Sequence, residues 1–116
     1  MKDLEIEQIK NEILGKRYEL SFYFINKDRI KELNKTYRKK NEPTDILSFP
    51  LDKKSGEILI CREIARKKSK NFNLTTNDYL LFLVIHGMLH LKGLQHGVKM
   101  RAYELAHYNR YRHRHL

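Results

Sequence analysis

The chain has 116 residues, 41% of them apolar and 33% charged, with a formal net charge of +10. That length suits one small domain with one core, read as residues 1–116. The longest apolar run, Tyr79 to Ile85, is too short to span a bilayer, Met1 to Glu5 lacks the apolar stretch of a signal peptide, and the lone Cys61 excludes an internal disulfide, so a cytoplasmic protein with no membrane contact is expected.

Leu4, Ile6, Ile9, Ile13 and Leu14 recur at helical spacing among charges and predict a first helix over residues 3–14, closed by Gly15. Glu19 to Ile25, rich in Leu, Phe and Tyr, predicts a strand. Asn26 is placed to cap a second helix that runs to about Arg38, with Ile30, Leu33 and Tyr37 turned to the core. Asn41 to Pro43 reads as a loop, and Ile46 to Leu51 as a short strand that Pro50 either confines to a sheet edge or ends. Asp52 to Gly56 then forms a turn and Ile58 to Cys61 a further strand, in which Cys61 is a small buried hydrophobe. A basic helix follows over about 62–70. Thr75 or Thr76 caps the next helix, about 76–91, whose first turn carries Asp78. It is apolar on nearly every side, as a central buried helix should be. The last helix covers about 97–112. The order predicts an α+β fold: a small mixed sheet of three to four strands packed with about five helices.

The positive charge favours a polyanion as partner, and nucleic acid is the usual one. The charges cluster. Lys35, Arg38, Lys39 and Lys40 form one group, and Arg62, Arg66, Lys67, Lys68 and Lys70 a second. Arg110, Arg112 and Arg114 form a third, interleaved with Tyr108, Tyr111, His113 and His115, a mixture that suits phosphate contact with base stacking and equally a frayed tail. Lys35, Lys39, Lys40, Arg66 and Lys67 are the candidates for contact with nucleic acid.

The buried helix ends in His86-Gly87-Met88-Leu89-His90-Leu91-Lys92-Gly93-Leu94-Gln95-His96. His86 and His90 are one turn apart on one helix face. Gly93 can take positive φ, end the helix and bring His96 back toward them. Three neutral imidazoles around one point suit catalytic zinc with a position left for water, whose pKa the ion lowers toward ~7. Nickel, copper and cobalt accept the same donors. The spacing equals that of the metzincin peptidases. Position 87, however, is Gly where those enzymes place Glu as general base, which argues against peptidase chemistry.

Two segments together resemble the YbeY family of metal-dependent endoribonucleases. One is Leu33 to Arg38 followed by Pro43-Thr44-Asp45-Ile46-Leu47-Ser48-Phe49-Pro50. The other is His86 to His96, which matches the family pattern at all three histidines, both glycines and both leucines. Gly56 to Cys61 also resembles the family strand that usually begins Gly-Asp, and the resemblance spans about residues 19–106. It implies one zinc ion on His86, His90 and His96, and a catalytic Arg38 acting beside His86. The implied substrate is single-stranded RNA. The implied role is maturation of the small-subunit ribosomal RNA 3′ end and ribosome quality control, with the small ribosomal subunit and its assembly proteins as partners of a monomer.

Gln95 departs from this pattern, because the family normally has Asp there, and Leu94 stands for an aromatic. A carboxylate beside a metal-binding histidine orients the imidazole, and losing one costs roughly 10–100-fold in affinity or activity. Asp45 and Glu104 are the candidates to replace it. Thr44 and Ser48 belong to a segment that could line the cleft, although turn capping also suits Thr44, Asp45 and Ser48. Gln95 and the missing base at position 87 are also the grounds for a rival reading, a non-enzymatic ribosome-assembly factor.

Overall fold

In the computed structural model, which describes residues 3–112, the helix centred on Leu83 organises everything else. His113, Arg114 and His115 of the third basic cluster lie outside the described residues, as does the side chain of Leu4. The elements are α1 (Asp3–Ile13), β1 (Glu19–Phe24), α2 (Lys27–Arg38), β2 (Ile46–Asp52), β3 (Ser55–Ile60), α3 (Arg62–Asn71), α4 (Thr76–Leu91) and α5 (Val98–Tyr111). This is the expected α+β order.

The three strands run in the order β1-β3-β2, with β1 parallel and β2 antiparallel to β3. The parallel pair requires a crossover, which α2 supplies. β2 and β3 form a hairpin whose turn is held by Asp52, which accepts the Lys54 N–H at 2.7 Å. β2 lies at the edge, as Pro50 requires, and the register shifts between Pro50 and Asp52. β3 starts at Ser55, inside the expected turn, because the tight hairpin lets pairing resume at once. Cys61 is buried but sits just past the strand, at the N-cap of α3.

Side chains alternate across the sheet and so build two cores. Ile58 and Ile60 point to the larger one, with Leu20, Phe22 and Ile46 packed against it. There α4 lies on the sheet, flanked by α1, α3 and α5. Nine of its sixteen residues are buried, from Tyr79 to Leu89, which is why no polar face could be seen in its sequence. Ile6, Ile9 and Ile13 of α1 complete this core. On the other face, Leu47, Leu59 and Cys61 meet Ile30 of α2. Tyr37, expected in the core, is instead 64% exposed. Its ring meets Phe49 edge-to-face at the rim of the smaller core, which Leu33 and Phe49 border.

Three polar contacts pin the segments that reach the histidines. Thr75, not Thr76, caps α4 by accepting the Asp78 N–H at 3.1 Å. Buried Asn34 donates to the Glu42 carbonyl at 2.8 Å, holding the loop after α2 against that helix. Tyr79 donates to buried Asp45 at 2.7 Å, tying the start of β2 to α4. No helix among the described residues is long and apolar enough to cross a membrane.

Candidate metal centre

His86 and His90 leave α4 from consecutive turns near its C-terminus. Helix spacing alone puts their rings side by side, with centroids 4.5 Å apart. Gly93 takes φ 105°, and the Gly93 and Leu94 amides bond back to the His90 and Leu89 carbonyls, so the chain reverses directly after the helix. The reversal returns His96, whose ring centroid lies 4.8 Å from that of His90 and 5.3 Å from that of His86.

One nitrogen from each ring lies within 4.8 Å of the others. The Nε2 atoms of His86 and His90 are 3.1 Å apart. Two nitrogens bound tetrahedrally to one zinc at about 2.05 Å would be roughly 3.3 Å apart, so this pair fits a shared ion. The donor set therefore suits a divalent transition metal.

The hydrogen-bond partner of His86 fixes which nitrogen it offers. Its Nδ1–H donates to the buried Glu104 carboxylate at 2.9 Å, which leaves the Nε2 lone pair facing the other histidines. Phe82 stacks on the same ring at 6.1 Å between centroids. Burial pushes the His90 pKa below its usual value; the neighbouring His86 and His96 push the same way, and so does Arg38, against the opposing charge of Glu104. A neutral imidazole is the form that binds a metal.

The histidines open into a cleft of about 360 Å³ that also contains Arg38, Ser48, Phe49 and Pro50. Arg38 is exposed at the last turn of α2, and Lys39 stops that helix with φ 58° and an N–H bonded to the Asn34 carbonyl. Lys35, Lys39 and Lys40 are exposed around the same turn but do not line the cleft. Arg66 and Lys67 are exposed on α3, also away from its lining.

Glu104, of the two carboxylates considered, is the one at the histidines. Asp45 is committed elsewhere: it accepts from Tyr79, pairs with Lys68 at 3.4 Å and takes a 3.4 Å hydrogen bond from Thr44. Gln95 is exposed. Gly87 has a role that spacing did not reveal. A Cβ there would lie 2.9 Å from Ser48 Oγ and 3.0 Å from the end carbons of Ile46 and Ile58. The glycine lets α4 press onto β2 and β3, which carries Ser48 to the cleft beside His86. A glutamate at 87 would point into that packed interface, so this helix placement has no room for the peptidase base.

A sequence profile of the family described as "Endoribonuclease YbeY" matches residues 2–113. A Thermotoga neapolitana protein named endoribonuclease YbeY is 45% identical over 73 residues, covering 62% of this chain and 49% of that protein. A Thermotoga maritima protein of the same name is 38% identical over 94 residues, covering 79% of this chain and 62% of its own length. The chain thus spans less than two thirds of both relatives. The solution structure of a Thermotoga maritima protein superposes with a TM-score of 0.66 at 32% identity, over 90% of this chain and 77% of that one. Motif, fold and sequence profile agree over most of the chain, which belongs to the YbeY family.

Proposed function

We propose that this protein is a single-strand-specific, zinc-dependent endoribonuclease acting late in ribosomal RNA processing, at the 3′ end of the small-subunit RNA, and in ribosome quality control. The observation that carries the reading is the cleft that three converging imidazoles line together with Arg38. The names of its relatives and its charge of +10 support an RNA substrate. Residues 1–116 act as one domain and a cytoplasmic monomer, with ribosomal RNA, the small subunit and its assembly proteins as partners.

His86, His90 and His96 would hold one zinc ion. When bound, such an ion polarises a phosphoryl oxygen and acidifies water toward neutrality. Arg38 binds the scissile or adjacent phosphate, because its planar fork matches two oxygens and offsets the charge that builds during hydrolysis. Ser48 can donate a hydrogen bond to the same group. Glu104 keeps His86 in the tautomer that presents Nε2 to the cleft.

The rival assembly-factor reading rests on the missing base at position 87 and on Gln95; the Glu104 carboxylate on His86 supports the enzyme reading against the second of these grounds. Metal-replete protein should cleave single-stranded RNA, and His90→Ala should abolish cleavage while retaining RNA binding. A fully metal-loaded sample that binds RNA and never cuts it would favour the assembly factor instead.

A further inference from the structure

A second cavity, of about 630 Å³, lies on the face of the sheet that carries α2. Its floor follows from strand register. Tyr23 pairs with Leu59, and Glu57 with Phe49, so these odd-numbered residues share one face. The helix covers that face only in part. Ile30 is fully buried over Leu47 and Leu59, whereas Tyr37 and Tyr23 are 64% and 54% exposed. Tyr37 meets Phe49 edge-to-face, with ring centroids 5.1 Å apart. Two tyrosine rings therefore stand open to solvent beside an apolar floor that also holds the carboxylate of Glu57.

This groove is joined to the histidine cleft. Phe49 and Pro50 line both. Tyr37 and Arg38 are successive residues at the end of α2, with Tyr37 in the groove and Arg38 in the cleft. A phosphate held by Arg38 thus lies one residue from an open aromatic ring. Single-stranded nucleic acid is bound by this combination of a cationic path for the backbone and aromatic faces for the bases. The volume also falls within the roughly 300–1,000 Å³ of pockets that hold small planar ligands.

We propose that the groove is a nucleobase subsite, in which a base of the strand held at Arg38 stacks on Tyr37 and Tyr23. Glu57, an acceptor when ionised, favours bases with an exocyclic amino group over uracil. The proposal rests on the endoribonuclease reading and adds where the strand runs beyond the cleft. A protein partner would be the other occupant of an aromatic groove. Continuity with the phosphate-facing arginine favours RNA, because a protein patch has no need to open into the cleft.

The test is fluorescence anisotropy in a His90→Ala background, with a labelled oligoadenylate and an abasic ribose-phosphate strand of equal length. Tyr37→Ala should weaken oligoadenylate binding by roughly 5- to 100-fold and leave the abasic strand unchanged, because one stacked base is lost. Tyr37→Phe should restore the affinity, and Tyr23→Ala should act in the same direction. Both tyrosines are exposed, and circular dichroism of each variant should match the parent. Equal effects on the two strands, or none from either tyrosine, would overturn the subsite and leave the groove to a protein partner. Cleavage of RNA by metal-loaded wild type, with binding unaffected by either tyrosine substitution, rejects only the subsite. Failure to bind either strand, with no cleavage by metal-loaded wild type, rejects the endoribonuclease reading along with it.

Discussion

Glu104 of α5 accepts the Nδ1–H of His86 at 2.9 Å and is itself buried, so a helix that contributes none of the three histidines sets the orientation of the first. The carboxylate fixes the tautomer and holds the ring against rotation.

Removing that carboxylate should weaken metal binding. Glu104→Ala is expected to lower zinc affinity by roughly 10–100-fold. Glu104→Gln, which still accepts the hydrogen bond, should lose less. Competition with a chromogenic chelator reads the affinity directly, without an activity assay. Unchanged affinity in Glu104→Ala would show that the contact does not support the site.

Gly87 should resist even a methyl group. Alanine favours a helix over glycine by about 1 kcal/mol, but overpacking a tight interface costs about 1–3 kcal/mol. The contacts at 2.9 and 3.0 Å are to side-chain ends, so the lower half of that range applies. Gly87→Ala should leave thermal stability nearly unchanged or lower it by a few degrees, and should displace Ser48 from the cleft. Thermal melts paired with metal-replete cleavage would show the second effect as lost activity in a folded protein. Full activity would mean that α4 need not lie so close to β2.

Tyr79→Phe tests the link between β2 and α4. Burial raises the Tyr79 pKa well above its normal value, followed by the hydrogen bond to Asp45 and the Asp45 charge, so the phenol stays protonated and donates. The substitution leaves Asp45 with Lys68 and Thr44 only. The expected loss is about 1.5–3 kcal/mol in urea unfolding, the usual worth of a hydrogen bond to a charged group. Wild-type stability in this variant would mean that Lys68 alone satisfies the carboxylate.

His107 on α5 should contribute an acid-side loss of stability. Burial lowers its pKa below the ordinary 6.5; Glu12 opposes this, while Arg110 and Lys92 add to it. The unfolded chain therefore takes up this proton at higher pH than the folded one. Below about pH 6.5 the unfolded state binds more protons, and stability falls as pH falls until the folded histidine also titrates. His107→Gln should flatten this part of the melting-temperature profile between pH 7.5 and 5, measured on chelator-treated protein. A slope identical to wild type would assign the acid sensitivity to other groups.

Much of the fold was legible because its signals are local. Asn26 and the Thr75-Thr76 pair announce helix starts through their own side chains, and Pro50 narrows β2 to an edge or an end through its missing N–H, of which the edge is found. The errors arise where packing overrides pattern. Tyr37 sits at helical spacing from Ile30 and Leu33, yet its ring meets only the rim of the sheet at Phe49 and is left largely in solvent. β3 begins earlier than expected because hairpin pairing, not hydrophobicity, sets its first residue.

At the site the division is sharper. The sequence by itself determined the histidine set, because His86, His90 and the reversal at Gly93 depend only on helix geometry and one residue's φ. It could name Asp45 and Glu104 as carboxylates but could not choose between them. The choice depends on how α5 docks on α4 and how the loop before β2 meets Tyr79, contacts across 18 and 34 residues of chain. The same holds for Arg38 beside the imidazoles and for the tight approach at Gly87. Side-chain periodicity encodes which face of an element is buried, but which partner it meets is settled only when the elements pack together.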